Sequence, residues 1–166
     1  VGVSQAIPSS PLEFDTAEAY QGRLAGRILN AGGMKVAAFS VYLEDSSGLG
    51  DFNIGLLDLL AAAILKLDVP WVVQGDWNIS AQVLEDTHWA DSLLGVIVAP
   101  NGATCWARNP EPDDCTATFV FFVMARELRP LVAQVRIMGK APTFPHSPVH
   151  LKLAGLGQHT CVPQVQ

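Results

Sequence analysis

Residues 71–80, Trp-Val-Val-Gln-Gly-Asp-Trp-Asn-Ile-Ser, constrain the fold more than any other stretch of the chain. A short apolar run follows Pro70 and stops at Gly75, the pattern of a strand with a tight exit. A carboxylate, an aromatic ring and a carboxamide come next. Alternate side chains of an extended backbone share a face, so Asp76 and Asn78 project together from the strand end. A carboxylate can orient a water or help hold a hard cation, and a neighbouring amide can hydrogen-bond a phosphate oxygen. The same two residues also suit an Asp/Asn turn behind a buried strand.

The rest of the pattern surrounds this strand with others. Residues 22–29 and 34–43 read as two strands joined by Asn30-Ala31-Gly32-Gly33, a hairpin. Glu44 to Gly50 is a polar, Gly/Ser-rich loop. Asp51 is placed to cap a helix running to about Leu67, with Ile54, Leu57, Ala61, Ile64 and Leu65 on one face. Leu56, Leu59, Leu60 and Ala63 widen that apolar surface. Ser80 can cap a short helix to about Thr87. Val96–Ala99, Ala117–Met124, Val132–Met138 and Val149–Leu153 are further strand candidates, and residues 100–114 read as loop. Strands outnumber helices, and the helices fall between strands. That order predicts a mixed α/β domain with one or two central sheets. Its expected extent is 20–155, with an extended Pro/Ser-rich tail at 1–19 and a C-terminal tail at 156–166.

Composition narrows the function classes. The chain has 166 residues, 49% hydrophobic and 16% charged, enough for one domain with a substantial core. Its richest apolar run, Ile54 to Leu67, is broken by Gly55, Asp58 and Lys66, so no membrane-spanning segment is expected. A net charge of −6 argues against adhesion to nucleic acid, which needs Lys and Arg to displace counterions. The three cysteines, Cys105, Cys115 and Cys161, have no metal-ligand spacing. They read as ordinary thiols, and a Cys105–Cys115 bridge is open in an oxidising compartment. The start at Val1 reads as a processed N-terminus, compatible with organellar import.

Four stretches resemble the endonuclease/exonuclease/phosphatase superfamily, which includes the DNase I-like nucleases. Phe39-Ser40-Val41-Tyr42-Leu43 is similar to the family strand ending in a site tyrosine. Gly75-Asp76-Trp77-Asn78 is similar to its Gly-Asp-aromatic-Asn motif. Residues 121–128 look like the strand before its final segment, and Pro145-His146-Ser147-Pro148-Val149 looks like its closing Ser-Asp-His-x-Pro-Val signature. The resemblance covers roughly residues 20–154, the later half of the family domain. It implies a partial DNase I-like α/β sandwich with mixed, mostly antiparallel sheets and flanking helices. It also implies site roles. Asp76 would orient the attacking water, Asn78 and Tyr42 would contact the scissile phosphate, and His146 would stabilise or protonate the phosphoryl oxygens.

The chain departs from the family pattern where acid groups belong. Pro145 stands where the signature has an Asp. Phe119-Val120 replaces a hydrophobic-Asp pair whose carboxylate orients the histidine. The earlier half would supply an Asn and a metal-binding Glu, and neither Glu13 nor Glu18 lies in a matching motif. Asp76 alone is a weak site for Mg²⁺, which usually takes one or two carboxylates plus substrate phosphates. Loss of such groups costs orders of magnitude in rate.

The expected role is therefore a noncatalytic structural or binding subunit of a larger protein assembly, with no cofactor. The alternative is a Mg²⁺-dependent phosphoesterase completed by a partner chain. A noncatalytic phosphate or nucleic-acid binder is disfavoured by the acidic balance. Elsewhere, His88, His150 and His159 read as isolated surface or core histidines. Trp71, Trp77, Trp89 and Trp106 read as core or interface anchors, with Trp106 the one expected at the surface.

Overall fold

Eight strands and three helices are seen in a computed structural model, which describes residues 7–14, 20–105, 117–138 and 145–155. The strands are β1 (Ser9–Pro11), β2 (Leu24–Ala31), β3 (Met34–Tyr42), β4 (Trp71–Asp76), β5 (Gly95–Val98), β6 (Val120–Ala125), β7 (Val132–Ile137) and β8 (Val149–Leu153). The helices are α1 (Asp51–Ile64), α2 (Ala81–Asp86) and α3 (Trp89–Ser92), and a 3-10 segment spans Arg126–Leu131. The first six strands form one sheet in the order β1-β2-β3-β4-β6-β5, and β7 and β8 form a second sheet of two. Only β3 and β4 run parallel in the large sheet, with α1 as the crossover between them. This is the mixed, mostly antiparallel α/β arrangement expected from the sequence.

The β2–β3 hairpin turns at Gly32 and Gly33, whose φ values of 60° and 83° suit a residue without a side chain. Its ladder pairs Ala31 with Met34 and continues out to Leu24 and Val41. Residues 9–11, within the stretch read as a tail, are extended and pair with β2 as an edge strand. Ile7 just before them is buried against Leu29 and Ala38. The expected tails at 1–6, 15–19 and 156–166 lie outside the described residues.

Helix α1 differs from expectation in two ways. Its N-cap is Gly50, with Asp51 the first helical residue and no side-chain cap bond. The fastening comes from buried Asn53, whose Oδ1 accepts from Glu44 N at 2.7 Å and whose Nδ2 donates to the Glu44 and Gly48 carbonyls at 3.0 and 2.8 Å. These bonds hold the loop that leaves β3 against the start of α1. The buried stripe is Asn53, Leu56, Leu57, Leu60 and Ile64, whereas Ile54 and Leu65 face outward. A helix apolar nearly all round has no periodicity sharp enough to select its inner face. Ser80 caps α2 as expected, its Oγ accepting from Val83 N.

Large side chains fill the space around the central strands. Phe39, Leu43, Leu56, Leu60, Val73, Trp77, Leu84, Phe121, Val123 and Met124 are all fully buried. Val149 joins the same core, so the small sheet is anchored to the large one through the start of β8. No described helix is long and apolar enough to cross a membrane.

Candidate functional site

The sheet register builds the site. Tyr42 ends β3, Asp76 ends β4, and the two are direct partners in the parallel ladder. Asp76 in turn pairs with Val120 at the start of β6. Tyr42, Asp76 and Val120 therefore stand side by side on one face at the carboxyl ends of β3 and β4. The sharp exit follows at once. Asn78 adopts a left-handed backbone, φ 46°, which Asn tolerates better than most residues. Its Nδ2 donates to the Leu43 carbonyl at 2.8 Å, tying the end of β4 to the loop after β3.

His146 reaches this corner from the segment before β8. Its Nε2 lies 3.3 Å from Asp76 Oδ2. The segment is held by Thr104, which is fully buried. The Thr104 carbonyl accepts from Ser147 N at 2.7 Å, and its Oγ1 accepts from both Phe119 N and Val120 N at 2.9 Å. Cys105 is bridged through its backbone to Ala117 on one side and His146 on the other. The four residues singled out in the sequence, Tyr42, Asp76, Asn78 and His146, thus meet at one corner. Tyr42 is 44% exposed, and the His146 and Asp76 side chains are 31% and 16% exposed.

Burial raises the Asp76 carboxyl above its ordinary value, and the attraction of His146 and of the Asn78 backbone N–H only partly offsets this. Asp45 adds to the rise. Asp76 Oδ1 is buried with no hydrogen-bond partner among the described residues. The ionised form is therefore disfavoured by folding, and neutralising it should stabilise the chain. Asp76→Asn is expected to raise the urea midpoint at pH 8. The gain should fade toward pH 4 and below, where the wild-type carboxyl is protonated in the folded and then the unfolded chain. A lower midpoint for the variant at pH 8 would mean that the pair with His146 outweighs the burial cost.

One site residue escaped the sequence reading. Arg23 lies opposite Tyr42, whose N donates to the Arg23 carbonyl at 2.9 Å. Its guanidinium sits 4.7 Å from the Tyr42 ring centroid and 5.6 Å from that of Phe52. Nη1 is buried with no hydrogen-bond partner among the described residues. Counting outward from the Gly32–Gly33 turn reaches this pairing, so the hairpin itself carried the signal. Thr104 had no such signal, because its partners are far away in sequence.

Among the described residues the donor set at this corner does not fit the divalent cation that the family resemblance implies. Among the described residues no group of three His, Cys, Asp or Glu side chains could hold a metal ion. Asp76 offers one carboxylate, and one of its oxygens already faces His146. Where the resemblance calls for an acid beside Asp76 there is Val120, and Pro145 precedes His146. Of the remaining candidates, His88 is exposed and His150 buried. Trp71 and Trp77 are buried, and Trp89 packs against Trp77. Trp106, His159, Cys115, Cys161 and the Cys105–Cys115 pairing lie outside the described residues.

No family model and no curated protein matches the chain in sequence. Solved structures do match in shape. The endonuclease domain of TRAS1, a telomere-specific non-LTR retrotransposon, superposes with a TM-score of 0.70 at 8% identity, over 91% of this chain and 70% of that one. AP endonuclease LMAP from Leishmania major gives a TM-score of 0.70 at 12% identity, over 90% and 62%. The 3′ phosphatase NExo from Neisseria gives 0.65 at 13%, over 87% and 72%. The chain therefore has the DNase I-like α/β fold of the endonuclease/exonuclease/phosphatase structures. It spans between 54% and 72% of the length of the eight structures compared.

Proposed function

We propose that this chain is a noncatalytic DNase I-like domain that acts as a structural or binding subunit of a larger protein assembly. The observation that carries this reading is the 3.3 Å contact between Asp76 and His146 beside Val120. A histidine in such a site needs an acceptor to fix its orientation. With valine in the acceptor position, the remaining carboxylate fills that need. With one oxygen facing the imidazole and the other buried, Asp76 is poorly placed to hold a water in line with a phosphorus. Asn78 is similarly occupied, with one amide hydrogen on the Leu43 carbonyl. Catalysis of phosphoryl transfer is largely positioning and charge stabilisation, and both are reduced here.

Incubation of the chain with duplex, abasic and 3′-phosphorylated oligonucleotides and with an aryl phosphate, in Mg²⁺ or Mn²⁺, is expected to give no turnover above that of Asp76→Ala. Native mass spectrometry of tagged chain recovered from its own cells is expected to show a heteromeric complex. Free monomer alone would overturn the subunit reading.

The convergence of Tyr42, Asp76, Asn78 and His146 favours a second reading, metal-dependent hydrolysis of phosphate esters with the missing ligands supplied by a partner chain. Turnover that requires both a divalent ion and Asp76 would establish it.

A further inference from the structure

His150 is a titratable side chain that the candidate site does not use. It is the second residue of β8 and 5% exposed, and neither ring nitrogen has a hydrogen-bond partner among the described residues. The β7–β8 ladder sets Arg136 directly opposite it, and Lys152 lies two residues further along its own strand, on the same face. These are the charges that act on it, and both are positive. None of the three is in an ion pair among the described residues. A neutral imidazole can occupy this place. An imidazolium would give up its hydration, find no acceptor for its two N–H groups, and face two like charges. Burial first, and then Arg136 and Lys152, hold its pKa below the ordinary value.

The segment that leads into the same strand carries one residue of the candidate site. His146 precedes β8 by three residues, and Val149 fixes the start of β8 in the core. Between them, Ser147 N donates to the Thr104 carbonyl at 2.7 Å, and Pro148 O accepts from Met138 N at 2.8 Å. Two strands on their own are only marginally stable, so the small sheet is a natural place for local opening. We propose that His150 is an acid-sensitive latch: neutral, it lets β7 and β8 pair and presents His146 to Asp76, and protonated, it opens the small sheet and withdraws His146.

The direction follows from proton binding. Histidines of the unfolded or opened chain protonate near the ordinary value of 6.5. Below it the open form binds more protons than the closed one, so the closed form loses stability as pH falls.

The test follows the imidazole signals of His150 by NMR and the hydrogen-exchange protection of the Ser147 and Met138 amides from pH 8 to 5, with melting temperatures in parallel, for the wild-type chain, His150→Leu, and the Arg136→Gln, Lys152→Gln double variant. Wild type should lose a few degrees more of melting temperature than His150→Leu between pH 7.5 and 5.5. Protection of the Ser147 and Met138 amides, which donate to the Thr104 and Pro148 carbonyls, should fall over the same range in wild type alone. The double variant should titrate His150 at higher pH and lose less. Equal acid losses in wild type and His150→Leu would overturn the latch, as would Ser147 and Met138 amides that stay protected while His150 titrates. If His150→Leu does not fold, the double variant decides: an unchanged His150 titration and melting curve would overturn the proposal as well. None of these outcomes depends on whether the Asp76 corner is catalytic.

Discussion

Trp77→Ala is expected to destabilise the chain by about 3–5 kcal/mol, the range for removing a large aromatic from a packed core. Trp77 is the largest fully buried side chain among the described residues. Its ring stacks on Phe121 at a centroid distance of 5.1 Å and an interplanar angle of 8°, and it meets the edge of Trp89 at 6.1 Å. Its Nε1 donates to the Phe121 carbonyl at 3.0 Å, and its backbone N to the Phe119 carbonyl. Alanine would leave a void bounded by two aromatic rings that cannot both move into it. Trp77→Phe should keep most of the stacking and lose the indole hydrogen bond, costing about 1–2 kcal/mol. Chemical denaturation of the three proteins checks the ranking, and an alanine variant within 1 kcal/mol of wild type by the same area argument would contradict the packing described here.

That effect bears on the site, because Trp77 separates Asp76 from Asn78. One side chain turns inward as the anchor, and its neighbours are held outward at the corner with Tyr42 and His146. The anchoring also shows why this part of the site was legible in the sequence. The short apolar run that stops at Gly75 and the polar Asp and Asn around a tryptophan are local signals, and local signals survive in a single sequence. The hairpin was legible for the same reason, since Gly32-Gly33 fixes both the turn and the register that places Arg23 opposite Tyr42.

The rest was set by distant partners. Which face of α1 is buried depends on Asn53 binding the loop after β3, and leucines on nearly every side of the helix hide that choice. The part played by Thr104 comes from backbone groups of residues 119, 120 and 147, brought to it only by the fold. The contact between His146 and Asp76 joins residues seventy positions apart. From the sequence, replacement of an acid by Val120 reads as a loss at that position alone. In the folded chain Val120 is the ladder partner of Asp76, and the carboxylate that His146 meets at 3.3 Å stands directly beside it.

Gly75→Val is expected to cost about 3 kcal/mol or more, at the upper end of overpacking substitutions, and to lower the melting temperature by roughly 6–12 °C for a chain of this size. A β-carbon at Gly75 would stand 2.5 Å from Val41 Cγ1, 2.7 Å from the Val41 carbonyl oxygen and 3.3 Å from Trp77 Nε1. The Val41 side chain is 2% exposed and has no space to retreat. The carbonyl oxygen belongs to the rung of the parallel ladder that pairs Val41 with Gly75, so moving it strains the β3–β4 pairing itself. Relief would have to come from separating the ends of β3 and β4, where Tyr42 and Asp76 follow on the next rung. Gly75→Ala brings the same β-carbon without the two branches and should cost about 1–3 kcal/mol. The preference of strands for β-branched residues spans only about 1 kcal/mol and cannot offset a clash with backbone. Thermal unfolding of both variants separates the contributions: alanine should show the cost of the first carbon and valine the added cost of the branches. If both melt with the wild type, the close approach of β3 to Gly75 is wrong, and with it the placement of Tyr42 beside Asp76.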